Sequence, residues 1–163
     1  MRATLETLAL VLLVGAAQAL LSLAGLFGLL ALSPPVSVAP WTLVTSVYAH
    51  GSVGHLLANA LALLFVGPLV ERRTTRGRFH AFVVTTGALA GVAQVTLGSL
   101  LGPPSAVLGI SGAVFALGGY LLASNVVSET LFDRLRLSPR VQLALLGLVA
   151  VVLTATTATS PSR

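Results

Sequence analysis

The sequence has no cysteine, no lysine and only four acidic residues in 163. Without cysteine there is no disulfide framework and no thiolate-bound metal. Without lysine, all nine basic residues are arginine. Charged residues make up 8% of the chain, where a soluble domain of this length carries about a quarter. So little polar surface does not coat a globule in water. Histidine is sparse too, with three residues at positions 50, 55 and 80. His50 and His55 with Asn59 could in principle hold a metal. Intramembrane zinc enzymes, however, add a carboxylate and a His-Glu-x-x-His helix, and neither is present. No cofactor or metal is therefore expected. The arginines fall in gaps between apolar runs rather than on an aromatic-bearing face, which argues against nucleic acid as a partner.

What the chain does have is hydrophobic residues, 56% of the total, and a mean hydropathy of +1.00. Five apolar runs are long enough, or nearly so, to cross a bilayer, which takes about 20 residues. They run from about Thr7 to Leu32, Val53 to Val70, Phe79 to Leu101, Val107 to Val127 and Val141 to Ala155. Each is expected to be a helix, because a lone strand leaves its backbone groups unpaired in lipid. The expected fold is an all-α polytopic helical bundle, residues 1–163 forming one membrane domain. A cleaved signal peptide is a rival reading of the first run, with Ala17-Gln18-Ala19 as the small-residue site. The apolar run continues past it to Leu32, which favours a retained helix.

The arginines set an orientation. Arg72, Arg73, Arg76 and Arg78 separate the second and third runs, and Arg134, Arg136 and Arg140 the fourth and fifth. The links Ser33–Ser52 and Gly102–Ala106 carry no basic residue. Basic loops stay cytoplasmic, so the N-terminus is expected inside and the end of this chain outside, in a multi-pass cell-membrane protein. That topology puts His50, His55, Asn59 and Ser111 at a similar shallow depth on the outer side. His80 falls at the cytoplasmic end, a membrane thickness of about 30 Å away. The link Ser33–Ser52, with Trp41, Tyr48 and three prolines, is expected to lie partly at the headgroup level that Trp and Tyr favour.

Two short segments could carry chemistry. His55 and Asn59, at i and i+4, share a helix face, and polar groups within a span mark function or a paired contact. Gly109-Ile-Ser111-Gly112-Ala-Val-Phe115 opens the fourth run. A serine nucleophile needs an exposed hydroxyl, a base and donors for the developing oxyanion. Flanking glycines let a substrate strand approach, and a helix start offers free N–H groups. Ala113 stands where the Gly-x-Ser-x-Gly elbow of the hydrolases has its last glycine. Gly112, Gly118 and Gly119 could equally serve helix packing. On residues alone, either His55 or His50 could be the base for Ser111.

Taken together, Trp41, His50-x4-His55-x3-Asn59, Gly67-x3-Glu71-Arg72 and Gly109-x-Ser111-Gly112 with Phe115 a turn later resemble the rhomboid family of intramembrane serine proteases. The resemblance covers Trp41 to Tyr120 in the family's order and spacing, except that Thr42 stands where an arginine often follows the tryptophan. It implies a six-helix core and a Ser–His dyad. Ser111 would be the nucleophile, with Gly109 and Gly112 supporting it. His55, Asn59 and the Ser111 backbone N–H would hold the oxyanion. Phe115 would pack against the base, Trp41 would belong to a membrane-embedded loop, and Glu71 would be structural. The base itself would lie on a sixth helix in an Ala-His-x-x-Gly pattern. This chain reaches the polar stretch Thr154–Arg163 without that pattern, so it is expected to be C-terminally incomplete and, alone, inactive.

The expected function is cleavage of transmembrane segments of other membrane proteins near the outer face, with those segments and the lipid bilayer as partners. The alternative is a non-catalytic relative that binds membrane clients. A transporter fragment is a weaker third option, because its polar groups would sit near the midplane.

Overall fold

The computed structural model of the protein describes residues 1–103, 105–124 and 141. The chain divides into two compact units, Met1–Gly118 and Gly119–Arg163. The helices and side chains discussed below belong to the first, apart from the end of the last helix. The expected fifth span from Val141 to Ala155 and the loop with Arg134, Arg136 and Arg140 lie outside the described residues, save Val141 itself.

Among the described residues there are five α-helices and no strand: α1 (Arg2–Leu23), α2 (Thr42–Tyr48), α3 (Val53–Glu71), α4 (Arg76–Leu101) and α5 (Ser111–Ala123). Three of them, α1, α3 and α4, are long and apolar enough to cross a membrane. Local chemistry sets the ends. Ser52 caps α3 by accepting from the His55 N–H at 3.2 Å, and Thr75 caps α4 by accepting from the Arg78 N–H at 3.4 Å; such caps satisfy N–H groups that have no carbonyl within the helix. This moves the start of α4 three residues ahead of the expected Phe79.

The first span differs most from expectation. It begins at Arg2 rather than Thr7 and stops at Leu23 rather than Leu32. The stop is a Schellman turn. Gly25 adopts φ +73, its N–H bonds Ser22 O at 3.1 Å, and the Leu26 N–H reaches back to Leu21 O at 2.8 Å. Only glycine takes that left-handed geometry without strain. The remaining apolar residues form a 3-10 turn, Phe27–Leu30. Likewise α5 opens at Ser111 instead of Val107. Val107 is held extended, its N–H and C=O paired with those of Leu32 at 2.9 and 3.0 Å.

Small residues let the helices meet closely. α1 and α3 run antiparallel: Thr4 fills the space at Gly67, and Leu56 fills it at Gly15. On α4 the row Phe79, Val83, Gly87, Gly91, Val95 is buried at four-residue intervals. Its Gly87-x-x-x-Gly91 pair receives Val47 of α2 and Leu32, as small-residue helix interfaces do in membranes. Outward, large apolar side chains such as Leu13, Leu20, Leu61, Phe65 and Leu89 are more than half exposed, while Thr4, Thr7, Gln18, Ser46, His50 and Asn59 are buried. Polar groups inside and apolar groups outside is the arrangement for lipid, not water. The protein is a multi-pass helical membrane protein.

Candidate active site

The link Ser33–Ser52 is not an open loop. It contains α2, and the Trp41 indole N–H anchors it to Leu29 O at 3.0 Å while the ring stays half exposed. Beyond α2 the chain turns through His50, which is buried. A carbonyl only accepts, so the His50 Nδ1–H donates to Tyr48 O, at 3.0 Å. That leaves Nε2 as a buried lone pair with no partner among the described residues. The ring meets His55 edge to face, centroids 5.2 Å apart. Burial pushes the His50 imidazole down to about 4. Below the ordinary histidine value the unfolded chain binds a proton that the folded chain refuses, so stability falls as pH drops from about 6.5 towards 4. Denaturant unfolding of the full chain in neutral micelles should lose stability across that window, and His50→Gln should flatten the loss.

His55 lies in the first turn of α3, and Asn59, buried one turn deeper, spends one amide hydrogen on the His55 carbonyl at 3.1 Å. The other amide hydrogen remains available. The His55 ring faces Gly109 from across the fold. A Cβ on Gly109 would stand 2.7 Å from His55 Cε1 and 3.0 Å from Nε2. Gly109 has φ +123, and its N–H donates to Ser46 O of α2 at 2.8 Å. Three separate segments therefore converge here: the end of α2, the start of α3, and the turn into α5.

Ser111, the first residue of α5, is half-buried two residues past that contact. Its hydroxyl makes no hydrogen bond among the described residues, so neither His55 nor His50 is hydrogen-bonded to it. A Cβ on Gly112 would overlap Ala90 of α4, which seats the start of α5 against the middle of that helix. Phe115, a turn later, is exposed at 36%. Ala90 is ten residues along α4 from His80, or about 15 Å of helical rise. Val107 pairs with Leu32 before α5 begins. The intervening helix packing still separates His80 from the serine.

His80 has partners of its own that the sequence did not signal. Its Nε2 and the Arg76 Nε both meet Glu6 Oε2, at 2.9 and 2.8 Å, tying α1 to α4. Glu71 is structural, as expected. Its carboxylate accepts the Ala3 N–H at 2.9 Å, the Thr4 N–H at 3.1 Å and the Thr4 hydroxyl at 2.8 Å. It thus caps the start of α1 from the end of α3, which is why α1 begins earlier than its apolar run. Ser46 and Tyr48 were missed as supports because they act through backbone carbonyls, for which side-chain identity carries no signal. Ser52 could have been found from its place just ahead of the α3 run. Among the described residues no group of three or more His, Asp or Glu side chains could hold a metal.

A family model described as the Rhomboid domain matches residues 37–162, which takes in every candidate residue above. Rhomboid protease GluP of Bacillus subtilis (strain 168) is 35% identical over 94 residues, 58% of this chain and 18% of that protein. RHOMBOID-like protein 1 of Arabidopsis thaliana is 30% identical over 92 residues, 56% of this chain and 23% of that protein. Rhomboid protease GlpG of Salmonella choleraesuis (strain SC-B67) is 33% identical over 89 residues, 54% of this chain and 30% of that protein. The matched stretch thus spans less than a third of the length of these relatives. The family match covers well over half of the chain, and with the helical membrane fold it establishes that the chain belongs to the rhomboid family.

Proposed function

We propose that the protein is an intramembrane serine endopeptidase that cleaves transmembrane segments of other membrane proteins near the outer face. The observation that carries this reading is the seating of the His55 ring on Gly109, two residues before Ser111, with Asn59 one turn deeper on the same helix. Ser111 Oγ attacks the scissile carbonyl carbon, and its proton passes to a base. The carbonyl oxygen becomes an oxyanion, received by His55, the free Asn59 amide hydrogen and the Ser111 backbone N–H. The amine leaves with the proton, and water then releases the acyl group from Ser111. The family resemblance assigns the base to a histidine on a sixth helix, and none of this sequence's three histidines is hydrogen-bonded to Ser111. Residues 1–163 count as one rhomboid-like domain in this reading. Basic residues at the α3–α4 turn put that turn and the N-terminus in the cytoplasm, and the site at the other end of α3 near the outer surface.

The test is cleavage of a model transmembrane substrate by the protein expressed from its whole reading frame, in proteoliposomes. Ser111→Ala should abolish cleavage, and Asn59→Ala should lower turnover by about 10²–10³ with little change in KM. Full activity of Ser111→Ala would sink the reading. A second reading, a rhomboid-like protein that binds membrane clients without cutting them, draws on the absence of a base hydrogen-bonded to Ser111 among the described residues. It predicts no cleavage by the wild type and co-purification of clients that Ser111→Ala leaves unchanged.

A further inference from the structure

Among residues 1–124 every charged side chain lies at one end of the α1, α3 and α4 bundle: Arg2, Glu6, Glu71, Arg72, Arg73, Arg76 and Arg78. Both carboxylates are used inside the fold. Glu71 caps α1, and Glu6 takes Arg76 and His80. Arg2, Arg72, Arg73 and Arg78 are exposed and have no acidic partner among the described residues. Three of these four lie within seven residues of one turn. Beside them a Cβ on Gly77 would meet nothing within 4 Å.

The face of α3 leading to this turn is apolar and outward. Leu57, Leu61, Phe65 and Leu69 are exposed by 54, 59, 77 and 45%. At four-residue spacing they form one stripe, about 18 Å long from Leu57 to Leu69 by helical rise, and Arg72 and Arg73 follow directly. α3 has 19 residues, about 28 Å, which matches the hydrocarbon thickness. Its last residue therefore falls at the phosphate level. A free anion would explain the guanidinium groups but not the stripe. A neutral lipid would explain the stripe but not the uncompensated charge.

We propose that the α3–α4 turn is a binding site for an anionic phospholipid. The phosphate and headgroup sit among Arg72, Arg73 and Arg78, and an acyl chain lies along Leu57, Leu61, Phe65 and Leu69. Guanidinium forks suit phosphate oxygens. Each arginine at a membrane surface contributes about 1 kcal/mol towards anionic lipid, close to a fivefold change in affinity.

The test compares the full chain with the variant Arg72→Gln/Arg73→Gln/Arg78→Gln in phosphatidylcholine nanodiscs, with and without phosphatidylglycerol. Native mass spectrometry reads the lipid retained on the protein, and denaturant unfolding reports whether the variant folds. The wild type should retain phosphatidylglycerol over phosphatidylcholine and be stabilised by it. The variant should unfold like the wild type in phosphatidylcholine alone and lose on the order of a hundredfold of the phosphatidylglycerol preference. Rising salt should weaken the wild-type preference. Equal preference in the variant would overturn the proposal. So would inorganic phosphate in neutral detergent protecting the wild type as well as phosphatidylglycerol does, which would make the turn a site for free phosphate. If the variant fails to fold, Phe65→Ala reads the acyl stripe instead: unchanged retention of phosphatidylglycerol by that variant would also overturn the lipid assignment.

Discussion

Gly109→Ala should lower turnover by two orders of magnitude or more, and for a reason that differs from simple unfolding. At φ +123 any residue with a Cβ is strained, by about 1–2 kcal/mol. The added methyl carbon would also stand 2.7 Å from His55 Cε1, closer than carbon atoms approach. Two responses are open to the fold. The imidazole can swing away, which removes one proposed oxyanion donor and costs about 10²–10³ in rate. Alternatively the turn can move, which breaks the Gly109 N–H bond to Ser46 O and shifts Ser111 with it. Either way kcat falls more than KM rises. The check is steady-state cleavage of a transmembrane substrate by the full-frame protein, alongside denaturant unfolding. A variant that stays folded and turns over at the wild-type rate would mean that the His55 contact has no part in the chemistry.

Glu71→Ala should have the largest effect on stability, about 2–3 kcal/mol, while leaving the region around Ser111 assembled in molecules that remain folded. The carboxylate accepts two backbone N–H groups and one hydroxyl at the start of α1. Hydrogen bonds to a charged acceptor contribute about 1.5–3 kcal/mol each in isolation, and bonds sharing one acceptor do not add. Truncation leaves those N–H groups without their acceptor, on residues Ala3 and Thr4 that are fully buried, where water replaces it poorly. Glu71→Gln keeps the shape and one acceptor oxygen and should lose about half as much. Unfolding in mixed micelles measures the size of the effect, and amide exchange in residues 2–7 measures its place. The site is about 24 Å away along α3, from Glu71 to His55. Loss of exchange protection should therefore concentrate at the start of α1. Uniform loss along α1, α3 and α4 would instead mark Glu71 as a support of the whole bundle.

Several features were legible without coordinates, for a shared reason. Composition alone separates a lipid-facing chain from a water-facing one, because 8% charge leaves no way to solvate a globule. The start of α3 at Val53 was read from its apolar run, whereas α4 starts at Arg76, ahead of the apolar run, because Thr75 caps it. His55 and Asn59 share a face because a helix repeats every 3.6 residues. The end of α1 was not legible. Leu23 and Leu32 belong to one unbroken apolar run, and hydropathy does not register the left-handed turn at Gly25 that divides it.

The local rules of the sequence thus determined the membrane class, the helical character of the spans and the shared face of His55 and Asn59, since each depends on composition or on neighbours within about one turn. Tertiary structure decided the rest. It seated Gly112 against Ala90 of α4, and it brought Gly109 against the His55 ring from 54 residues away in the chain. It also spent Glu6 and Glu71 inside the bundle, leaving arginines at one turn without acidic partners among the described residues. Those outcomes arise where segments distant in sequence compete for the same small space. Contact distance and hydrogen-bond direction decide them, and residue type alone does not.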